Sequence, residues 1–263
     1  MPGDSKIEWT EKTWNPVTGC TEVSPGCDHC YARTFAERFR GVPNHPYEQG
    51  FDLKLWPDRL TIPLQWKKPT TIFVNSMSDL FHKDVPDSFI AQVFETMNKA
   101  SHHIFQVLTK RPSRAALIAH ELTWTPNIWL GTSIESQDYA WRAEKLCQVP
   151  AKIRFISAEP LLGPLDLRKW LEYCPECEWP HGEYQNCGYC ETYPHVRGLD
   201  WIITGAESGY GARPMNEDWV RGLRDQCIER GRSFFYKQNA INGKKVPTPE
   251  LDGQRWIQFP VEM

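Results

Sequence analysis

Beyond residue 70 the chain alternates short apolar runs with amphipathic stretches. TIFVNS (71–76), HIFQVLT (103–109), NIWLGTS (127–133), KIRFISAEP (152–160), WIITGAES (201–208) and SFFYKQ (233–238) are brief and rich in β-branched and aromatic residues, which predicts buried strands. FIAQVFETMNKA (89–100), the segment after Pro112, SQDYAWRAEKLC (136–147) and NEDWVRGLRDQCIERG (216–231) carry apolar residues at helical spacing. Strand alternating with helix predicts parallel βαβ units. With a further strand expected near residues 6–10, the pattern predicts an α/β protein built on an open or closed barrel. No internal repeat or low-complexity segment interrupts it.

Polar residues gather where each strand ends: Ser76-Met77-Ser78-Asp79, Lys110-Arg111, Thr132-Ser133-Ile134-Glu135, Ser157-Ala158-Glu159, Glu207-Ser208 and Lys237-Gln238. The C-terminal rim of a parallel barrel carries its active site. One polar residue there is only a loop start or a helix cap. Repetition over six strands predicts a rim pocket.

Composition narrows the class. An apolar fraction of 40% over 263 residues is enough for a real core. The net charge of −3 lacks the global basic signature of a duplex-coating protein, though it leaves room for a local basic groove. No stretch is apolar and long enough to span a membrane, and MPGDSKIEWTEKTWNP lacks the core of a secretory signal. Nine cysteines is an odd count in short spacings, which fits metal-ligating thiols in a reducing compartment better than a disulfide framework. A cytoplasmic protein without a membrane partner is expected.

The most specific chemical signal is Cys20-x6-Cys27-x2-Cys30, in a segment whose Gly19, Pro25 and Gly26 enforce a loop. A loop can wrap three sulfurs around one centre. Tetrahedral zinc wants a fourth ligand, for which His29 or His45 would have to serve. A cubane iron–sulfur cluster held by three thiolates leaves one iron open to a small molecule.

A second group, Cys174-x2-Cys177-x9-Cys187-x2-Cys190, forms two CxxC knuckles at ribbon-like spacing. Four thiolates so spaced suit zinc, which would also staple a stretch with few apolar residues. A second iron–sulfur cluster is the minor alternative. The expected organisation is therefore a barrel core over 1–171 and 199–263, with a zinc-ribbon-like insert at 172–198.

The run NPVTGC, CDHCYA, FVNSMSDLFH, LTKRP, WLGTSIE, EPLLGP and FFYKQ resembles a phage-associated three-cysteine-motif family of radical S-adenosylmethionine (AdoMet) enzymes, distantly related to spore photoproduct lyase. The resemblance covers nearly the whole chain apart from the insert. It implies a partial (β/α) barrel in which Cys20, Cys27 and Cys30 ligate a [4Fe–4S] cluster whose open iron is chelated by AdoMet. One-electron reduction, by a donor such as a flavodoxin or ferredoxin, would yield a 5′-deoxyadenosyl radical that abstracts hydrogen from substrate. His29 stands where the larger family often has an aromatic residue beside the adenine, and the first cysteine spacing is longer than its usual three residues.

The resemblance also implies roles at the rim. Ser76, Met77, Ser78 and Asp79 occupy the place of a turn that holds the methionyl amine, since an ammonium needs acceptors. Lys110 or Arg111 would pair with the methionyl carboxylate. Ser133 and Glu135 would meet the ribose hydroxyls, leaving Glu159, Glu207 and Lys237 for substrate or radical handling. Cys147 and Cys227 are expected as buried apolar thiols. The implied substrate is a nucleic-acid base or nucleotide. Lys67-Lys68, Lys110, Arg111, Arg114, Arg213, Arg221, Arg224 and Lys244-Lys245 could meet phosphates, and Trp56, Trp66, Trp124 and Trp129 could stack bases.

Two other classes compete. Glu159 and Glu207 could be the carboxylate pair of a barrel glycoside hydrolase, ~5 Å apart if retaining, but that leaves the three-cysteine loop without a purpose. A non-enzymatic module with zinc at both cysteine groups could recognise nucleic acid. Metal content separates the three.

Overall fold

A computed structural model describes residues 3–171, 198–209, 211–241 and 244–260. The zinc expected at Cys174, Cys177, Cys187 and Cys190 therefore falls outside the described residues.

The sheet strands are β1 (Gly3–Asp4), β2 (Lys12–Trp14), β3 (Thr71–Val74), β4 (Ile104–Thr109), β5 (Ile128–Ser133), β6 (Arg154–Ala158), β7 (Trp201–Gly205), β8 (Ser233–Ile241) and β9 (Lys244–Pro247). Their hydrogen-bonded order follows chain order from β1 to β9. β2–β3, β3–β4, β6–β7 and β7–β8 are parallel pairs, whereas β1–β2 and β8–β9, at the two edges, are antiparallel. Helices α1 (Tyr31–Glu37), α2 (Asp87–Lys99), α3 (Pro112–Ile118), α4 (Trp141–Cys147) and α5 (Glu217–Glu229) occupy connections between strands. This is the expected α/β architecture, a partial (β/α) barrel with parallel strands.

The chain divides inside β5 into two compact units, Met1–Leu130 and Gly131–Met263. In the first, β2 forms at Lys12–Trp14 rather than at residues 6–10. There the chain turns through a Thr10-to-Ile7 backbone bond, and Trp9 is buried against the Phe73 ring at 4.7 Å. The Glu11 carboxylate then accepts from the Thr71 N–H at 2.8 Å and registers β2 on β3. β3 ends two residues before the expected Ser76, because Asn75 adopts a left-handed φ of 60°. On α2, Phe89, Ile90, Val93, Phe94 and Met97 are buried at helical spacing, with Asp87 in the first turn and Lys99 in the last to suit the helix dipole.

In the second unit, every residue of β6 and β7 is buried, which explains their continuous apolar runs. Phe155, Trp201 and Phe235 form the ring contacts of this core. Gly131 is required here, since a Cβ would sit 2.3 Å from the Phe155 ring. Asn216 caps α5 by accepting from the Asp218 N–H at 2.9 Å. Cys147 and Cys227 are buried as expected, and burial pushes both thiols up, Cys147 to about 12. Among the described residues no helix is long and apolar enough to cross a membrane.

His103 yields a pH prediction. Its ring is 1% exposed and lies 3.2 Å from the Pro63 carbonyl through Nε2, while Nδ1 has no partner. Burial lowers its pKa, with help from neighbouring His102. A depressed folded pKa means the neutral ring's contribution is complete above the unfolded value of about 6.5 and is lost as pH falls. Buried His82 shares the sign. Melting temperature should therefore drop between pH 7.5 and 5.5, and less steeply in His103→Asn; equal slopes would remove His103 from the account.

Candidate active site at the three-cysteine loop

The loop leaves β2 and is fastened at both ends. Gly19, at φ 84°, passes so close to the Asp52 carbonyl that a Cβ would lie 2.2 Å from its oxygen. Its N–H donates to the Met77 carbonyl at 3.0 Å, and the Cys20 N–H donates to the Phe51 carbonyl at 3.3 Å. Asn15, just past β2, accepts from the Met77 N–H at 2.9 Å, and the Ser78 hydroxyl donates to the Val17 carbonyl at 2.8 Å. One 3-10 turn, Pro25–Cys27, carries the second cysteine, and Cys30 is the N-cap of α1.

All three thiols are free and half-buried. Cys20 and Cys30 pack with Phe39 and Met77 on a core of Ala32, Ala36, Tyr47 and Phe51. Cys20 is within electrostatic reach of Cys27, and Arg33 of both Cys27 and Cys30. Among the described residues no three His, Cys, Asp or Glu side chains converge closely enough for a single metal ion. A cubane is larger than an ion and holds its thiolates farther apart than tetrahedral zinc does. Three half-buried thiols on a tethered loop, two of them over an apolar floor, fit that donor set.

Beside Cys20 stands a buried charge pair. Asp79 is 4% exposed; its Oδ1 accepts from the Thr109 hydroxyl at 2.7 Å and the Phe81 N–H at 3.0 Å. Its Oδ2 accepts from the Lys110 N–H at 3.0 Å and from Arg111 Nη1 at 2.9 Å. Arg111 Nη1 also donates to Cys20 Sγ at 3.4 Å, and Nη2 donates to the Thr21 carbonyl and hydroxyl, both at 3.0 Å. Burial pushes the Cys20 thiol up and Asp79 adds to it, while Arg111 opposes both. Burial works against the Arg111 charge, yet Asp79 and Cys20 outweigh it and hold the guanidinium above its ordinary value.

The expected site residues sort unevenly over these surroundings. Ser76, Met77, Ser78, Asp79, Lys110 and Arg111 lie on the turns beside the cysteine loop, and His29 is exposed on it. Tyr31, next to Cys30, donates its hydroxyl to the Ser76 carbonyl at 2.5 Å. The sequence reading missed this tie, along with Asn15 and Thr21; the available signal was their place in or beside the NPVTGC and CDHCYA motifs.

In the second unit, Glu135 is fully buried and accepts from Arg142 Nη1 at 2.9 Å, and the same nitrogen donates to the Ser133 carbonyl at 2.9 Å. Lys237 donates to Glu159 at 2.5 Å, and Arg213 grips both oxygens of Glu207 at 2.5 and 3.0 Å. Both carboxylates of the hydrolase alternative are thus engaged by cations.

Several expected phosphate contacts are engaged internally as well. Arg221 and Arg224 share Asp252, and Arg114 donates to Asp87 and to the His82 and Val85 carbonyls. Trp129 is buried, and Trp124 packs edge-on against Phe94. Lys67 and Lys68 are exposed.

No curated protein matches the chain. A tyrosine-to-phenylalanine variant of spore photoproduct lyase has a similar fold, with a TM-score of 0.51 at 13% identity over 89% of this chain and 78% of the lyase chain. The lyase complexed with dinucleoside spore photoproduct gives a TM-score of 0.47 at 13% identity, over 87% of this chain and 64% of the lyase. A double variant with bound AdoMet and dinucleoside spore photoproduct gives 0.47 at 12% identity, over the same shares of 87% and 64%. The chain thus spans less than two thirds of those two lyase chains. A family model described as "Protein of unknown function (DUF5131)" matches residues 4–260, and the chain belongs to that family.

Proposed function

We propose that the chain is a radical AdoMet enzyme in which Cys20, Cys27 and Cys30 hold a [4Fe–4S] cluster, with a nucleic-acid base or nucleotide as substrate. The observation that carries this reading is the tethered three-thiol loop at the C-terminal end of β2, on a fold shared with spore photoproduct lyase. When bound, the cluster and AdoMet supply hydrogen-atom abstraction. The chain's own part is to hold, orient and dry the site.

Tyr47, Phe51, Phe39 and Met77 cover the apolar side of Cys20 and Cys30. The Ser76 and Met77 carbonyls each accept one bond, from Tyr31 and Gly19, and a carbonyl has a second lone pair for an ammonium. Asp79 already receives four donors, so it orders this turn and Lys110 from behind. Tyr31 and Phe35, 58% and 43% exposed, stand four residues apart on one face of α1, where a base could stack. The electron would come from a small carrier such as a flavodoxin or ferredoxin. Cys174, Cys177, Cys187 and Cys190 are proposed to bind zinc.

The test is anaerobic. After reconstitution with iron and sulfide, the chain should show a cluster whose paramagnetic signal changes on adding AdoMet, and reduction should release 5′-deoxyadenosine. A colourless chain holding only zinc would sink the reading and favour the zinc-binding module.

A further inference from the structure

The Arg111 guanidinium stands where a cluster ligand can feel it. Its side chain is 13% exposed, and its two terminal nitrogens reach Asp79, Cys20 Sγ and both oxygens of Thr21. The farthest of these acceptors lies 91 residues from Arg111 in sequence, and they belong to two separate turns. A planar fork can serve several acceptors at once, which the compact ammonium of lysine does less well.

We infer that Arg111 is a positioning residue that sets the reduction potential of the cluster through its N–H on Cys20 Sγ and its buried positive charge. The inference rests on the reading of Cys20 as a cluster ligand. Reduction adds one negative charge to the centre. A donor on a ligating sulfur, and a cation screened little by water, stabilise the reduced form more than the oxidised form. Asp79 works in the opposite direction, since its Oδ2 accepts at 2.9 Å from the same Arg111 Nη1 that reaches Sγ, which places a negative charge beside the sulfur. The two are separable because Arg111 touches Sγ directly, whereas Asp79 is bound to Arg111. Removing the arginine leaves the carboxylate uncompensated beside the centre, so the two substitutions should move the potential in opposite senses.

The experiment is a potentiometric titration, followed by paramagnetic resonance without AdoMet, on the reconstituted chain and on Arg111→Gln, Arg111→Lys, Asp79→Asn and the Arg111→Gln/Asp79→Asn pair. Arg111→Gln should lower the potential on the order of 59 mV, a tenfold change for a one-electron couple. Arg111→Lys should fall between it and the parent, Asp79→Asn should shift upward, and the pair should return part of the way. Intact clusters with unchanged potentials would overturn the inference while leaving the cluster reading in place. If Arg111→Gln takes up no iron, the Arg111→Lys shift decides by its sign. Loss of the cluster from both would make Arg111 a purely structural clamp, also overturning it. A parent chain without a cluster would remove the ligand reading itself, and this inference with it.

Discussion

Cys27→Ala should strip the reconstituted chain of its iron, from about four atoms per chain to almost none, while leaving its fold intact. Cys27 closes a single 3-10 turn, is not part of the buried core, and its N–H bonds to the Ser24 carbonyl whatever its side chain. Truncation therefore removes a ligand and little packing. Iron and sulfide content should fall with no change in the circular dichroism spectrum or melting temperature. The same change at Cys20 is less clean, because its thiol also receives Arg111 and packs against the Met77 cluster. Full iron content in Cys27→Ala would remove the three-thiolate site, and with it the proposed function.

Glu135→Gln should cost the fold ~3–5 kcal/mol, the range for leaving one partner of a buried ion pair uncompensated. Glu135 and Arg142 are 0% and 2% exposed in their side chains and meet at 2.9 Å. Arg142 would keep its charge in a place water does not reach, facing a neutral amide whose oxygen can still accept from Nη1 but no longer cancels the charge. The arginine Nε has no partner even in the intact pair. Replacing both residues together, as Glu135→Leu with Arg142→Met, should recover most of the loss, since no buried charge then remains. Urea unfolding of the three chains checks this. A stable Glu135→Gln that instead loses AdoMet affinity would return Glu135 to the ribose contact implied by family resemblance.

The order of elements was legible because it is written in local periodicity. The apolar runs from residue 71 to 208 contain their strands, trimmed at the ends by neighbours the run does not encode, as Asn75 shows by turning left-handed after Val74; the last run, 233–238, falls short of its strand, which continues to Ile241. The strand expected at residues 6–10 was misplaced for a related reason. Trp9 reads as a strand residue, yet it packs against Phe73 while Glu11 supplies the register one step later.

At the candidate site, the cysteine spacing and the clustering of polar residues after each strand could be read directly. Their partners could not. Arg111 could equally serve a ligand carboxylate or a neighbouring thiol, and the sequence holds no term that distinguishes a partner one residue away from one that is 91 residues away.

The sequence by itself determined the α/β order, the parallel pairing inside the sheet though not its antiparallel edges, and the three thiols on a loop, because side-chain period and short cysteine spacings act over a few residues. Only the tertiary structure decided which charges face one another: Arg111 on Cys20 and Asp79, Arg142 on Glu135, Lys237 on Glu159. Ion pairs form between turns that the sheet brings together, and burial, which sets their strength, is a property of the packed chain.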